Sequence, residues 1–166
     1  MIGERRAQKV AIRPARPDEA GLVLGFIRAL ADYERLLHEV TASEADIATL
    51  LFSDPPRAFC DIAEADGEPI GFAFWYYVIS TFEGRCGIYL EDIFVKPEAR
   101  GTGAGLALMR RLAERCRDEG LPTIEWQVLD WNAVALDFCG RLGARPKANW
   151  LNRTLSGKAL EALAGG

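Results

Sequence analysis

The sequence predicts one α/β domain, with a mixed and mostly antiparallel central sheet that is flanked by helices on both faces. Three strand-like segments follow one another at 58–65, 70–79 and 89–95, an order typical of antiparallel pairing. A helix and a further strand at 124–129 come next, which indicates a parallel connection. The chain has 166 residues, 49% of them hydrophobic, and this is enough for a single core. We therefore expect residues 1–166 to form one domain.

The first elements carry recognisable start signals. Residues 10–12 are predicted to form a short strand, and Pro17 is well placed as the first residue of a helix that ends near residue 37. Thr41 and Glu44 have the spacing of a capping box, in which each side chain bonds the backbone of the other residue. They predict the start of a second, shorter helix.

The strands that follow include two neighbouring acids. Asp66-Gly67 is a tight hairpin signal between the first two of these strands. Side chains in 89–95 are expected to alternate, so that Tyr89 and Glu91 share one face of the sheet and Asp92 points to the other. Glu91 and Asp92 are therefore not expected to form a close pair of carboxylates.

A glycine-rich turn connects the strand at 89–95 to the next helix. It reads Arg-Gly-Thr-Gly-Ala-Gly at 100–105. Glycines allow a tight turn and a close approach of the backbone to a ligand. The first turn of the following helix offers unpaired N–H groups and the positive end of its dipole. A phosphate group is the expected ligand.

Three kinds of phosphate site have glycines in such a turn. A nucleoside-triphosphate loop needs Gly-Lys-Ser/Thr, but Leu106 and Ala107 follow the last glycine here. A dinucleotide fingerprint needs its third glycine where Leu106 stands. The third pattern, Arg/Gln-x-x-Gly-x-Gly, is satisfied by Arg100, Gly103 and Gly105. It binds a pyrophosphate through backbone N–H groups without magnesium.

The last third of the chain continues the alternation of helix and strand. The helix after the glycines is expected to end at Gly120, and Asn132 is expected to cap the start of the next helix. Residues 150–155 predict a last strand, and 156–163 predict a short terminal helix.

The composition restricts the partners. A formal net charge of −4 and a pI near 5.1 argue against nucleic acid. The four cysteines have no CxxC spacing and His38 is the only histidine, so no metal is expected. Reduced thiols and an N-terminus without a signal-peptide pattern favour the cytoplasm. The longest apolar run, 72–79, is too short to span a bilayer, so no membrane association is expected.

Two segments together resemble a known family. The turn at 100–105, between LEDIFV and an amphipathic helix, resembles the acetyl-CoA motif of the GNAT N-acetyltransferase superfamily. The segment 130–144 resembles a second motif of that family, and the likeness extends over about residues 10–155. Within the family, the chain is similar to the spermidine/spermine (diamine) N-acetyltransferases. The resemblance implies the GNAT fold, acetyl-CoA as co-substrate, a small-molecule amine as acceptor, and a homodimer with an interface after Trp150.

The resemblance also implies roles for individual residues. The backbone of the strand end should bind the acetyl and pantetheine groups, the turn should bind the pyrophosphate, and an asparagine should bind the pantetheine region. These coenzyme-binding residues are Phe94, Val95, Arg100, Gly101, Gly103, Gly105 and Asn132.

The reaction itself requires a base and a site for a cation. An alkylammonium has a pKa of roughly 10, so it must lose a proton before it can attack a thioester near neutral pH. Glu91 falls on the acid that the diamine enzymes are thought to use, through water, as this base. Its alternative role is a structural pairing inside an apolar strand.

The net negative charge, with Tyr33, Glu34, Glu91 and Asp92, favours a cationic amine as substrate: a diamine, a polyamine or a lysine-like amino acid such as thialysine. Tyr33 and Glu34 lie in the last turns of the first helix, where acids oppose the dipole. They either border the substrate site or belong to a solvated helix end. For Asp92, a structural hydrogen bond to a neighbouring turn is the alternative.

Cys139 departs from the family pattern, because a tyrosine that protonates the departing thiolate usually stands there. Cys139 either packs in its helix while water protonates the thiolate, or donates the proton itself, or takes the acetyl group covalently. The covalent route is disfavoured, since no histidine is near in sequence to activate the thiol. We expect direct transfer in a ternary complex. The alternative class is a non-catalytic acyl-CoA-binding or sensor module that has lost its acid.

Overall fold

The central sheet is mixed and mostly antiparallel, which confirms the predicted fold class. The structure, a computed structural model, describes residues 9–147 and 150–165. The strands are β1 (Val10–Pro14), β2 (Phe59–Ala65), β3 (Glu68–Ser80), β4 (Arg85–Val95) and β5 (Ile124–Glu125). They form a five-stranded sheet in chain order. Within the described residues, β4 and β5 are the parallel pair and the other neighbours are antiparallel.

The chain divides into two compact units, Met1–Gln127 and Val128–Gly166. The first contains the sheet and three helices, α1 (Ala20–Tyr33), α2 (Glu44–Phe52) and α3 (Ala104–Glu119). The second contains α4 (Ala133–Arg141) and α5 (Gly157–Ala164). No helix in the described ranges is long and apolar enough to cross a membrane.

Helices α1 and α2 cover one face of the sheet with an apolar core. Phe26 of α1 stacks on Phe72 of β3, with ring centroids 5.4 Å apart, and Phe94 of β4 lies beside it at 6.4 Å. The same core includes Val23, Leu24, Ile47, Leu51, Cys60, Ile62 and Phe74. Burial of this aromatic and aliphatic surface fixes α1 over the end of β4.

Helix α3 covers the opposite face. Its residues Leu108 and Leu112 are fully buried. The guanidinium of Arg115 lies over the ring of Trp75, 4.9 Å from its centroid, and the indole N–H of Trp75 donates to the buried carboxylate of Asp61 at 2.9 Å. These contacts hold the middle and the C-terminal half of α3 against the sheet, and the glycine-rich turn leads into its N-terminus.

Two predicted turn signals are confirmed. Asp66 and Gly67 both adopt positive φ angles, of 53° and 84°, and they connect β2 to β3 in a hairpin. Helix α3 ends at Gly120, which has a φ of 68° and so adopts the left-handed conformation that favours glycine.

The boundaries of the first two helices differ from the prediction. Helix α1 ends at Tyr33 rather than near residue 37, because Arg35 adopts a φ of 62° and the chain turns away there. The capping box of α2 is formed by Ser43 and Asp46, whose side chains bond each other's backbone at 3.2 and 2.8 Å, and not by Thr41 and Glu44. Glu44 is already the first residue of α2.

Of the last two predicted strands, one is shorter than expected and the other is absent. Strand β5 contains two residues, since its ladder to β4 ends at the pair Tyr89 and Glu125, and it does not reach residue 129. Residues 150–155 form no strand, and Trp150 and Leu151 are 73% and 76% exposed. An apolar segment becomes a strand only where a neighbouring strand pairs with it.

Candidate active site

A β-bulge in β4 shapes the candidate site. Asp92 lies opposite Phe74 and Leu90 lies opposite Trp75, so that Glu91 is the extra residue on β4. A bulge bends its strand and changes the direction of the side chains around it. The bulge lies four residues before the end of β4, on the side of the strand that leads to the glycine-rich turn.

The bulge overturns the predicted alternation of side chains. Tyr89 lies opposite Tyr76, and Asp92 lies opposite Phe74. Tyr76 and Phe74 share a face of β3, so Tyr89 and Asp92 share a face as well, although alternation predicts opposite faces for them. The charge of Glu91 contributes to the raised pKa of Asp92, so the two neighbouring acids interact electrostatically.

The end of β4 has a free edge on its β5 side. The ladder between β4 and β5 ends at the pair of Tyr89 and Glu125, and within the described residues no strand continues it alongside residues 91–95. Unpaired backbone N–H and C=O groups at such an edge can bond an extended ligand as a further strand would. Phe94 and Val95, which the sequence analysis proposes as pantetheine contacts, belong to this edge.

The glycine-rich turn leads into the N-terminus of α3. Gly101 and Gly103 have φ angles of 80° and 88°, which few other residues adopt. Gly103 is the N-cap of α3 and provides no side-chain acceptor, and the first turn of α3, which includes Gly105, has no acidic residue. The N–H groups of this turn therefore lack a side-chain cap, and the helix dipole favours an anion beside them.

Arg100 connects this turn to the end of α1. Its guanidinium lies over the ring of Tyr33, 4.8 Å from the centroid, and its Nε donates to the carbonyl oxygen of Val95 at 3.3 Å. Arg100 and Tyr33 were predicted to bind different ligands, the coenzyme and the amine. The structure brings the two side chains into contact.

The charges of two acids act on the carboxylate of Asp92 beside the bulge. Burial, followed by the charges of Glu91 and Glu34, raises the pKa of Asp92 to about 6. Burial also raises the pKa of Glu34, which lies at the C-terminal end of α1. Glu91 itself is exposed. Negative charge is therefore concentrated where the carboxylates are partly desolvated. A cationic ligand would reduce the repulsion between these charges.

Two tyrosines complete the surroundings of Glu91. The rings of Tyr76 and Tyr89 stack with centroids 5.2 Å apart. Burial and the charge of Glu91 raise the pKa of Tyr76 to about 12, and the same two causes raise the pKa of Tyr89. Neither tyrosine is predicted from the sequence as a site residue, because aromatic side chains in apolar strands also fit the core. Their hydroxyl groups beside an acidic strand were the available signal.

Asn132 and Cys139 belong to the second compact unit. Asn132 is buried and caps α4 as predicted, since its side-chain oxygen accepts a hydrogen bond from the backbone N–H of Ala135 at 3.1 Å. Cys139 lies within α4 and is partly buried. Among the described residues, no group of three or more His, Cys, Asp or Glu side chains could hold a metal ion.

Comparisons with known proteins match the sequence and the fold of this chain to acetyltransferases. The sequence pattern of the acetyltransferase (GNAT) family matches residues 23–144. The thialysine N-epsilon-acetyltransferase of Sus scrofa is 40% identical to the chain over 167 residues, covering 94% of this chain and 98% of that protein. The L-ornithine N5-acetyltransferase of Arabidopsis thaliana is 25% identical, covering 92% and 86%. The structure of an integron cassette protein from V. cholerae superimposes with a TM-score of 0.77 at 25% identity, covering 95% and 98%.

The buried acid predicts a pH-dependent gain in stability for Asp92→Asn. The native state favours protonated Asp92, whose pKa is raised from an ordinary value near 4 to about 6. The free energy of unfolding of the wild type therefore decreases as the pH rises from about 4 to about 6. Above that range Asp92 is ionised, and the full cost of its buried charge lowers the stability. The amide removes a cost of about 2–3 kcal/mol at pH 7 and very little at pH 4.

Urea unfolding at pH 4, 6 and 8 measures this difference. Asp118→Asn, an exposed acid on α3, is the matched control and should show no such pH dependence. An equal difference between wild type and Asp92→Asn at all three pH values would contradict the assignment.

Proposed function

This chain belongs to the GNAT family of acetyltransferases, and we propose that it moves the acetyl group of acetyl-CoA to the side-chain amine of a small, cationic, lysine-like amino acid. The observation that carries this substrate class is that the partly buried Asp92, beside the β4 bulge, experiences the negative charges of both Glu91 and Glu34. A primary ammonium group would neutralise part of that charge. The names of the thialysine and ornithine enzymes, which act on amino acids with a side-chain amine, support the same class.

The substrate would present one amine for reaction and further charged groups for recognition. Glu34 and Asp92 are proposed to hold the cation, with Tyr33 beside them at the end of α1. Because Asp92 has a raised pKa, a cation that binds next to it would favour its ionised form and strengthen the attraction. Diamines and polyamines share the cationic amine, and they are the competing substrates in the assay below.

Acetyl-CoA is proposed to bind along the free edge of β4 and at the N-terminus of α3. The pantetheine arm would pair with the backbone of Phe94 and Val95, and the pyrophosphate would accept hydrogen bonds from the turn. Support comes from the unpaired edge and from the uncapped helix start. The proposed coenzyme-binding residues are Phe94, Val95, Arg100, Gly101, Gly103, Gly105 and Asn132.

The proposed chemistry is direct transfer in a ternary complex. Glu91, which is exposed, accepts the proton of the substrate ammonium through a water molecule. The nitrogen lone pair then attacks the thioester carbon, the carbon–sulfur bond breaks to release the CoA thiolate, and the nitrogen loses a second proton to water as the amide forms. The thiolate takes a proton, and no metal takes part. Cys139 is proposed to pack within α4 while water supplies that proton.

The cellular and quaternary setting is also a proposal. We infer one functional domain over residues 1–166, supported by a family match that spans both compact units. Exposed Leu160 and Leu163 on α5 support a homodimer, which sedimentation velocity would test by its mass. Free cysteines support a cytoplasmic location, and the acidic pI supports the absence of nucleic acid and membrane as partners.

An assay of thiol release tests the substrate class. The enzyme is mixed with acetyl-CoA and with thialysine, lysine, ornithine, putrescine or spermidine, and free CoA is measured with a thiol reagent. The amino acids with a side-chain amine are expected to give the highest kcat/KM. Acetyl-CoA alone should raise the Tm, since a ligand at 100 times its Kd adds about 2.7 kcal/mol of stability. A Tm rise without thiol release from any amine would contradict the proposed reaction.

Glu91→Gln tests the proton acceptor. A general base contributes about 100-fold or more to the rate, so kcat should fall by about that factor near pH 7 and by less at high pH, where the amine loses its proton unaided. Glu125→Gln, another acid on the sheet, is the control. A pH–rate profile of Glu91→Gln that matches the wild type would remove Glu91 from this role.

Cys139→Ala tests passive packing. Turnover is expected to fall by less than about tenfold, because water rather than the thiol supplies the proton and the loss is limited to packing. The mass of the enzyme after exposure to acetyl-CoA should show no acetylated Cys139. A fall of a hundredfold at unchanged coenzyme affinity, or an acetylated Cys139, would show that the thiol takes part in the chemistry.

A further inference from the structure

Arg100 makes two contacts that reach beyond the phosphate-binding turn. Its guanidinium stacks on Tyr33 at 4.8 Å, and its Nε bonds the carbonyl oxygen of Val95 at 3.3 Å. One side chain of the turn therefore contacts both the last residue of β4 and the last residue of α1. Tyr33 is 36% exposed, so the ring is not held by the core alone.

This geometry restrains Arg100 beside the phosphate-binding turn. A guanidinium that covers a ring with its face keeps the N–H donors of its own plane for an anion. The bond to Val95 fixes the rotation of that plane through Nε. The stacked arginine is thereby pre-organised as a planar donor beside the uncapped start of α3, which lowers the entropy that a phosphate contact would cost.

Tyr33, the second partner of the contact, adjoins one of the acids of the proposed amine site. Glu34 directly follows Tyr33 and is the C-cap residue of α1. Burial raises the pKa of Glu34, and its charge in turn affects Asp92. Any restraint on the position of Tyr33 is therefore transmitted through one peptide unit to a carboxylate of the acidic group.

We propose that the Arg100–Tyr33 contact couples the coenzyme site to the amine site, so that each ligand increases the affinity for the other. This inference rests on the proposed function, because it takes the acids near Tyr33 as the amine site. A phosphate that binds Arg100 holds the guanidinium on Tyr33 and so orders the end of α1 with Glu34. An amine that binds Glu34 orders Tyr33 and so holds Arg100 in place. Linkage requires the two effects to be equal.

Calorimetry with CoA measures the coupling without turnover, since CoA has no acetyl group to transfer. The Kd of CoA is determined alone and with saturating thialysine. A partly exposed cation–π contact corresponds to about a two- to fivefold change in affinity, so thialysine should tighten CoA binding by about threefold in the wild type. The coupling factor is the Kd of CoA alone divided by its Kd with thialysine. Tyr33→Leu and Arg100→Lys remove the contact between the guanidinium and the ring, and Arg100→Lys keeps the charge. Both variants should lower the coupling factor toward one.

Two variants serve as matched controls. Tyr33→Phe keeps the ring and should keep both the CoA affinity and the coupling, whatever its effect on turnover. Lys96→Ala removes another cation of the same connection, whose Nζ lies 5.8 Å from the ring of Phe26 on α1. It should leave the coupling unchanged. The Tm and the circular dichroism of every variant are compared with the wild type, so that loss of folding is recognised.

A double-mutant cycle separates the contact from independent effects. If the contact carries the coupling, Tyr33→Leu should change nothing further in an Arg100→Lys background. Equal coupling factors in wild type and Tyr33→Leu, or additive effects in the cycle, would overturn the inference. A wild type that binds CoA but releases no thiol with any amine would instead contradict the proposed function, and the change in CoA affinity of Tyr33→Leu would still report on the stacked pair.

Discussion

The extra residue in β4 is the constraint on which the site depends. Because Glu91 has no opposite residue on β3, the strand bends there and Asp92 comes to lie on the face of the aromatic core. The two-residue ladder to β5 ends just before this bend, and the rest of β4 has an unpaired edge on that side within the described residues. The bulge thus lies where a half-buried carboxylate adjoins the edge that is proposed to bind the coenzyme arm.

The apolar core under α1 raises the free-energy cost of ionising Asp92 and so favours the binding of a cation beside it. Asp92 lies opposite Phe74, on the sheet face that carries the aromatic core, and burial there reduces its contact with water. Ionised Asp92 is therefore disfavoured until a cation approaches, and the neighbouring Glu34 and Glu91 add to the repulsion. A site of this kind would recognise its ligand mainly by positive charge. This property fits the proposed amine substrate, which would bind as an ammonium and then lose a proton.

Local signals were sufficient for the parts of the fold that depend on single residues. The hairpin at Asp66-Gly67, the stop at Gly120 and the turn with Gly101 and Gly103 all follow from the conformational freedom of glycine and its neighbours. The cap of α2 was placed wrongly because two boxes overlap in the sequence, and Ser43 rather than Thr41 begins the helix. The two-residue β5 and the absent strand at 150–155 depend on pairing partners, which no local pattern reveals.

The sequence predicts the two halves of the proposed site to different extents, and the reason is physical. The proposed coenzyme half is built mostly from backbone, so a spacing of glycines is enough to predict it. The proposed amine half is built from residues of α1 and β4 whose arrangement depends on the bulge, which removes strict alternation. The contact between Arg100 and Tyr33 would join these halves, and neither residue type nor spacing indicates it. In the proposed site, specificity for the amine depends on tertiary contacts, and a change in the bulge would alter it while leaving the glycine motif intact.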